Sequence, residues 1–556
     1  MAAQEGKHKA IRLAIITFNL QELQKEAGTK DVAALIDSLG MSIEALDEEE
    51  IKIDVTPNRP DLLDFFGMAR ALSYLSGKRE PSNDSYLKVS EPRLSITVSK
   101  NVKDVRPFIA GIVVEYANLG GNRLKYLINF TEKIAETFGR HRKKIAIGIH
   151  NLDRIDGDLT YEVKKSGSMQ PLGLQASETF EKVLRSQKGT EYGAIAEGKN
   201  IVLSDEKKVI ALIPITNSEK TRVTEGTKNL FIDITGTSQK AVGEVATLLA
   251  CSFIDQNAKV SAVSVDYGSR KAVYPSTQYK EEKINVYDID RTIGAKLSES
   301  DIVKLANRLG YKGSKYGNYI LVEVPPYRMD FINCQDVIED MAIAFGYNNI
   351  VPLPVVGSSF GCRSAVTDLC NDLELTMTGM GFDQAINNYI TNEETQFDRM
   401  EQRREQNLVK ISYSKTASLT ALRSKILPSL LTNLSASQHE SMPLRLFEIG
   451  SVFTVEKNRA IEGLSVALVS EAGGSNFSEA KSYVVAIAAS MGMPIEIRGI
   501  ENPAFIKGRC AGVFLHGKRI GVFGEIHPKV LKNFNLAEPA IAAELSLIAE
   551  TESYRR

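Results

Sequence analysis

The spacing of apolar residues in the second half of the chain predicts a helix that begins near Asp336. Apolar positions there recur every three or four residues, which is the period of one helix face. Gly346 follows the last of them and offers a C-terminal stop. The preceding Pro325-Pro326 pair favours an extended approach to the helix. The apolar positions are Val337, Ile338, Met341, Ala342 and Phe345.

Similar patterns predict helices and strands in the first half. Residues 62–74 keep a helical period after a proline-punctuated turn, and Gly77 lies just past their end. Residues 124–138 keep the same period, and the short apolar run Ile145–Ile149 predicts a buried strand. Elements of both kinds therefore alternate here, as in a mixed α+β region.

A compact unit is predicted immediately before Asp336. Ser298 is a suitable N-terminal cap for a helix that Gly310 would end. Gly317-Asn318 then predicts a short hairpin. Helices that flank a small hairpin are typical of a winged-helix-like domain.

The chain of 556 residues is long enough for several cores. We predict an α+β, multidomain protein with divisions at 1–80, 86–270, 271–351 and 355–556. The last division is predicted as helix, strands and helix again.

Composition and charge narrow the possible functions. The residues are 43% hydrophobic and 25% charged, with a net charge of −1, so no global basic surface for nucleic acid exists. Local basic runs at 140–144 and 399–404 are candidates for RNA contact, although such runs are more often solvated surface. Five scattered cysteines, no CxxC pair and no membrane-length apolar run favour a cytoplasmic protein without membrane contact.

Four carboxylates accompany the predicted helix at 336. Asp336, Glu339 and Asp340 share one side of its first turns, and Asp330 approaches them through the proline-containing segment. A hard divalent cation, Mg²⁺ most plausibly, would relieve their mutual repulsion. The alternative is that the acidic residues complement the helix dipole and that Asp336 is a cap.

The same segment resembles the signature of the phenylalanine–tRNA ligase β-subunit family in its archaeal and eukaryotic form. The matching pattern is Val-Pro-x-Tyr-Arg-x-Asp from Val324, followed from Asp336 by Asp-x-Ile-Glu-Asp-x-Ala-x-Ala-x-Gly-Tyr-Asn-Asn-Ile. Further phrases of the family occur at 148–153, 214–224, 445–450 and 521–528. The resemblance therefore covers essentially the whole chain.

The resemblance implies a domain assignment and partners. Residues 86–270 would be an editing domain, 271–351 a winged-helix-like domain, and 355–556 a non-catalytic copy of a class II synthetase sheet. The family forms an (αβ)₂ heterotetramer in which the α subunit binds ATP and phenylalanine. tRNA(Phe) would be the RNA partner, and the carboxylates matching Asp330, Asp336, Glu339 and Asp340 are assigned to magnesium.

Four short polar residues are candidates for editing. A pocket shaped for phenylalanine rejects tyrosine only about a hundredfold, so a second hydrolytic pocket that demands the hydroxyl raises fidelity. Asp233 and Thr235 occupy alternate positions of one predicted strand and face the same way. Asn217 and Ser218 end a neighbouring apolar run. Ordinary strand-end and turn chemistry is the alternative explanation for all four.

Nothing in the sequence suggests that the chain activates an amino acid by itself. It has no P-loop and no glycine-rich segment that ends in an ATP-binding arginine. We therefore predict a β subunit that supplies scaffold, tRNA contacts and editing while the α subunit carries out ATP-dependent attachment of phenylalanine. A free-standing deacylase of mischarged tRNA and a non-enzymatic interaction protein are the alternatives.

Overall fold

A computed structural model describes residues 14–81, 86, 88–355, 357, 360–412, 414, 416 and 418–548. The chain divides into two units, residues 1–355 and 356–556.

The first unit begins with a small antiparallel sheet in the order β1-β3-β2, against which three helices pack. A 3₁₀ turn, Pro60–Leu63, leads into α3, where the sequence predicted one continuous helix. The elements are β1 (Ala14–Asn19), α1 (Leu20–Ala27), α2 (Val32–Ser38), β2 (Ser42–Leu46), β3 (Glu50–Val55) and α3 (Phe65–Leu75).

A ten-stranded mixed sheet follows, in the order β12-β11-β10-β7-β4-β14-β5-β13-β6, with β15 paired to β14. Its strands and helices, together with the separate β8–β9 ribbon, are β4 (Val89–Val98), β5 (Phe108–Glu115), α4 (Arg123–Glu136), β6 (Ile145–Asn151), β7 (Leu159–Lys164), β8 (Ser168–Met169), β9 (Glu178–Thr179), α5 (Phe180–Leu184), α6 (Gln187–Tyr192), β10 (Asn200–Ser204), β11 (Val209–Ile213), β12 (Thr216–Asn217), β13 (Leu230–Gly236), α7 (Gln239–Asp255), β14 (Lys259–Asp266) and β15 (Lys271–Tyr274). The predicted strand at 145–149 is confirmed within β6.

The third part of the first unit is a three-stranded sheet, β16-β18-β17, with three helices. The helix between Ser298 and Gly310 and the hairpin at Gly317 are confirmed, as is the helix that Gly346 ends. The elements are β16 (Lys280–Asn285), α8 (Val286–Ile293), α9 (Glu299–Arg308), β17 (Lys312–Tyr316), β18 (Tyr319–Val324) and α10 (Cys334–Phe345).

One continuous apolar core joins these three parts. It runs from Ala14 and Phe18 in β1, through Ile232 in β13, to Met341 in α10. Burial of that much apolar surface against shared neighbours stabilises the unit as a whole. A polar side chain buried within it must therefore find its hydrogen-bond partners inside the protein.

The second unit is built on a seven-stranded sheet in the order β19-β22-β23-β27-β26-β25-β24, antiparallel except where β19 meets β22. Helices pack on it, as the sequence predicted. The elements are α11 (Ala365–Gly379), β19 (Asp383–Gln384), β20 (Ile390–Thr391), β21 (Ala421–Leu422), α12 (Leu427–Ala436), β22 (Leu444–Glu456), β23 (Arg459–Glu471), α13 (Phe477–Ser490), β24 (Ile495–Gly499), β25 (Phe505–Leu515), β26 (Lys518–Ile526), α14 (Pro528–Asn533) and β27 (Ala540–Ile548).

The mixed, multidomain α/β fold is thus confirmed, whereas the predicted domain boundaries stay predictions. Among the described helices, none has the length and apolar character needed to cross a membrane.

Candidate functional site

A polar cavity of about 120 Å³ opens at one end of the ten-stranded sheet. Strand β13 supplies Asp233 and Thr235 to its wall, and the turn between β11 and β12 supplies the opposite side. Three of the four predicted editing residues therefore meet here. The lining residues are Arg142, Ala146, Leu172, Lys188, Leu212, Ile213, Pro214, Ile215, Thr216, Asn217, Asp233 and Thr235.

Asp233 is fixed from the side of strand β6. Its backbone lies opposite Gly148, where any side chain would collide with the Asp233 carboxylate. One carboxylate oxygen lies 3.0 Å from Nε2 of the buried His150, whose Nδ1 lies 2.7 Å from Thr221 Oγ1. Since an ionised carboxylate only accepts, His150 donates through Nε2 and leaves the second Asp233 oxygen for the cavity.

Thr235 is held by a buried arginine from another part of the sheet. Arg106 donates from Nε to Thr235 Oγ1 at 3.0 Å and from a terminal nitrogen to the Thr235 carbonyl at 2.7 Å. Because Oγ1 accepts this bond, the hydroxyl hydrogen of Thr235 remains available to donate. Burial lowers the pKa of Arg106 to about 10, since its partners are neutral oxygens.

Asn217 and Ser218 are neighbours in sequence but have different roles. The Asn217 amide donates to the Ile149 carbonyl at 3.1 Å, which orients its side chain beside the cavity. Ser218 is buried, donates to the Gln170 carbonyl and accepts from the Lys220 amide. The structure therefore places Asn217 at the cavity. It places Ser218 in the cap of the following turn, as the alternative explanation by ordinary turn chemistry predicts.

Cations border the opening of the cavity. Arg142 lies over the Tyr192 ring at 4.3 Å and donates to the Pro214 carbonyl at 3.0 Å, while Lys188 approaches from α6. Arg142 belongs to the basic run 140–144 that the sequence suggested for RNA contact. The cavity thus combines hydrogen-bonding groups inside with positive charge at its mouth.

The four carboxylates predicted to hold magnesium do not converge on one point. Arg328 donates to both oxygens of Asp330, at 2.9 and 2.7 Å, and to Asp340 at 2.5 Å. Tyr311 donates to the same Asp340 oxygen. Burial alone would lower the pKa of Arg328, but Asp340 and Asp330 hold it well above its usual value. Arg328 thus supplies the positive charge that the sequence analysis assigned to a metal.

The other two carboxylates lie outside this ion pair. Asp336 accepts from the backbone amides of Ile332 and Asn333, at 2.7 and 2.9 Å, and completes a capping box with Asn333. Glu339 is exposed. In the part of the chain that the structure describes, no group of three or more His, Cys, Asp or Glu side chains is placed to hold a metal. This arrangement does not fit a shared Mg²⁺ ion, and the magnesium site stays a prediction.

Sequence reasoning missed Arg106 and His150, which hold the cavity residues Thr235 and Asp233, and gave no role at the cavity to Arg142, which lines it. Arg106, Arg142 and His150 come from distant segments and have no local motif. The Gly148-Ile149-His150 phrase was noted for its resemblance, and alternation along that strand could have placed His150 beside Asp233 once the strand pairing was known. Arg142 was noted only as one member of a basic run.

Family models match three successive regions. The B3/4 domain model covers residues 90–252, the tRNA synthetase B5 domain model covers 283–347, and the model of the phenylalanyl-tRNA synthetase β-chain CLM domain covers 351–547. Together they define the chain as a component of an aminoacyl-tRNA synthetase.

Relatives match over nearly the full length. The phenylalanine–tRNA ligase β subunit of Archaeoglobus fulgidus is 34% identical over 97% of this chain and 98% of its own, and that of Methanocella arvoryzae is 31% identical over 97% and 100%. An N-terminal fragment of the Pyrococcus horikoshii β subunit superimposes with a TM-score of 0.57 at 27% identity, covering 60% of this chain and 99% of the fragment. This chain belongs to the phenylalanine–tRNA ligase β-subunit family.

Proposed function

We propose that the chain acts with an α subunit in the ATP-dependent attachment of L-phenylalanine to tRNA(Phe). The α chain would bind ATP and phenylalanine, and the two chains would form an (αβ)₂ heterotetramer in the cytoplasm. Near full-length coverage of named β subunits supports this function. It does not favour a free-standing deacylase or a non-enzymatic interaction protein.

The second unit would serve as a scaffold without its own activation site. Its buried Arg423 donates to Glu448 at 2.6 Å and to the Ser451 carbonyl at 2.9 Å. Glu448 in turn accepts from the Asn387 amide at 2.8 Å. Because Arg423 is fully buried and paired with the Glu448 carboxylate, its guanidinium does not face solvent where ATP phosphates would bind, which supports a non-catalytic copy of a synthetase sheet.

An apolar surface of this unit is suited to the α subunit. Ile386 is 88% exposed, and Tyr389 and Ile390 next to it are about half exposed. Ile390 lies opposite Leu422 in the β20–β21 pair. Exposed apolar residues grouped in this way are typical of protein interfaces.

The proposal that the α subunit, and not this chain, activates phenylalanine can be tested directly. The purified full-length chain is expected to show no phenylalanine-dependent exchange between ATP and pyrophosphate, and co-expression with an α subunit is expected to restore it. Robust exchange by the chain alone would refute the scaffold role.

We further propose that the cavity on β13 hydrolyses tyrosine wrongly esterified to tRNA(Phe). The single observation that carries this proposal is the meeting of Asp233, Thr235 and Asn217 at one small cavity. The free oxygen of Asp233 would accept a hydrogen bond from the tyrosine phenol, and the Thr235 hydroxyl would donate one to it. Phenylalanine would leave both groups unpaired, which is a strong basis for discrimination.

In this reaction a water molecule adds to the ester carbonyl carbon. The bond from that carbon to the ribose oxygen breaks, the ribose oxygen takes the proton, and free tyrosine leaves. Asn217 donates to Ile149, so its side-chain carbonyl oxygen can accept from the attacking water.

Asp233→Ala tests the hydroxyl-binding role in the αβ complex. Deacylation of Tyr-tRNA(Phe) is expected to fall roughly ten- to hundredfold, the loss of one hydrogen bond to a charged group. Attachment of phenylalanine is expected to continue. Ser218→Ala is the matched control, since Ser218 does not line the cavity. Equal deacylation by wild type and Asp233→Ala would refute editing at this cavity.

A further inference from the structure

The cations at the mouth of the cavity have no carboxylate partners in the part of the chain that the structure describes. Arg142 and Lys188 line the cavity, and Arg140, Lys143 and Lys144 belong to the loop that carries Arg142; we name these five residues the cationic rim. Neighbouring cations behave differently, since Lys133 pairs with Glu136 and Arg185 pairs with Glu181. The rim therefore carries uncompensated positive charge in a chain whose net charge is −1.

The other basic run of the sequence provides a comparison. In residues 399–404, Arg399 pairs with Glu394 at 3.3 Å, and Arg404 pairs with Asp398 at 2.5 Å. Two of the three arginines in that run are thus neutralised within the protein, whereas Arg403 is exposed and belongs to none of the ion pairs of the described residues. The two runs therefore differ in pairing: among the described residues, no cation at 140–144 has a carboxylate partner, whereas two of the three arginines at 399–404 do.

The rim also has an unusual backbone that the protein holds in place. Arg140, His141 and Arg142 all have positive φ, at 51°, 52° and 65°. Each such residue costs on the order of 1 kcal/mol or more unless surrounding contacts fix it. Arg106 donates to the carbonyls of Arg142 and Lys143 at 3.1 and 3.3 Å, and Arg142 is tied to Pro214. The loop is therefore positioned by the residues that build the cavity.

The chemistry of the substrate explains why charge would be needed there. An aminoacyl ester in the cavity remains attached to an RNA strand, and that strand must leave through the mouth. Its first phosphates would then meet Arg142 and Lys188, which line the opening. Arginine suits phosphate because its planar guanidinium can donate two parallel hydrogen bonds.

We propose that the cationic rim binds the phosphates of the tRNA acceptor end and so positions the ester in the cavity. This inference rests on the proposed editing function and adds the residues that hold the RNA. Arg142 is a binding residue in this scheme, and Arg106 is a positioning residue that acts through the loop and Thr235.

Two substrates separate RNA binding from pocket chemistry in the αβ complex. Tyr-tRNA(Phe) carries the ester and the phosphates, whereas adenosine esterified with tyrosine carries the ester alone. Arg142→Ala and Lys188→Ala are expected to lower kcat/KM for Tyr-tRNA about tenfold, each removing a charge-assisted contact. Both variants are expected to lose less on tyrosyl-adenosine than on Tyr-tRNA, because tyrosyl-adenosine has no RNA phosphate for these cavity-lining side chains to bind.

Lys228→Ala is the matched control. Lys228 is exposed and lies seven residues before Thr235, about 23 Å away along an extended strand. Its removal is expected to change neither rate. Lys188 makes no described side-chain hydrogen bond, so Lys188→Ala keeps the test valid if Arg142→Ala fails to fold.

Salt dependence provides a second measurement. Each lost phosphate contact is expected to reduce the slope of log kcat/KM against log salt by about 0.7 for Tyr-tRNA. Equal losses on both substrates, or no loss on either, would overturn the rim proposal while leaving the editing function intact. Wild-type complex that hydrolyses neither substrate would refute the editing function, and the rim proposal with it.

Discussion

Two buried arginines of the first unit have opposite surroundings. Arg328 is bonded to two carboxylates, Asp330 and Asp340, which hold its pKa well above the usual value. Arg106 is equally buried but bonds to backbone carbonyls and the Thr235 hydroxyl, and burial lowers its pKa to about 10. Arg328 therefore hydrogen-bonds to carboxylates, whereas Arg106 has no carboxylate among its hydrogen-bond partners.

This difference separates a structural ion pair from a charge suited to function. A buried cation with two anionic partners has no capacity left for a ligand, so Arg328 fixes the approach to α10. Arg106, whose hydrogen-bond partners are neutral oxygens, instead fixes Thr235 and the loop at 140–144 beside the cavity. Charge compensation therefore distinguishes the two sites better than burial does.

Removal of Arg328 is expected to have the largest effect on stability. Arg328→Met leaves the buried Asp340 and the partly buried Asp330 without their cation, and we expect a loss of about 3–5 kcal/mol in the free energy of unfolding. Urea denaturation of the full-length chain measures it. Arg185→Ala removes an exposed helix pair with Glu181 and is expected to cost about 0.5 kcal/mol or less. Similar losses for both variants would contradict a structural role for Arg328.

Asp64 extends the comparison to a buried anion. It accepts from Ser252 Oγ at 2.6 Å and from the Gly67 amide at 3.0 Å, and burial raises its pKa from 3.8 to about 6. The folded state therefore binds a proton more readily than the unfolded state. This contribution to stability is complete below pH 3.8 and is lost as the pH rises through about 6.

Asp64→Asn removes this titration and keeps an acceptor for the Gly67 amide. The difference in unfolding free energy between wild type and variant is expected to change by about 3 kcal/mol across that pH range. Urea denaturation at several pH values measures the change. A difference that does not vary with pH would show that Asp64 titrates normally in the folded protein.

Arg106→Met tests the uncompensated charge. Despite similar burial, it is expected to cost about 2 kcal/mol or less in stability, because no carboxylate is left unpaired. Deacylation of Tyr-tRNA should nevertheless fall about tenfold, since Thr235 and the loop lose their common partner. Arg106→Lys retains the charge and should recover part of the rate. A stability loss as large as that of Arg328→Met would contradict the view that carboxylate partners make Arg328 the more important arginine for stability.

The smallest effects are expected at the remaining carboxylates of α10. Asp336→Asn should cost about 1 kcal/mol by weakening the capping box, and exposed Glu339→Gln should leave stability unchanged. If magnesium binds here, both variants should also reduce metal content or assembly with the α subunit. Metal analysis and the mass of the complex measure this. Unchanged metal content and assembly in both would favour the helix-cap explanation.

Much of the fold followed from local patterns. The apolar stripe from Val337 to Phe345 predicted α10, and Gly317 predicted the hairpin between β17 and β18. These elements depend on residues close together in sequence, through helix period, caps and turn glycines. The predicted helix at 62–74 begins instead with a 3₁₀ turn at Pro60–Leu63, because Asp64 caps α3 by accepting from Gly67.

The candidate site was predicted only in part. Alternation along β13 placed Asp233 and Thr235 on one face, and this depends on the sequence alone. Their partners His150 and Arg106 are 83 and 129 residues away, respectively. Ser218 could not be told from Asn217, since only the fold shows that its hydroxyl turns toward Gln170.

The sequence by itself determined the family, the periodic elements and the residue types available for chemistry. The tertiary structure decided which charges are compensated, because that depends on strand pairing and on side chains brought together from distant segments. Four carboxylates near α10 suggested a metal, yet Arg328 lies between two of them. A basic run with no distinguishing motif lies at the mouth of a cavity, since Arg106 and Pro214 hold it there.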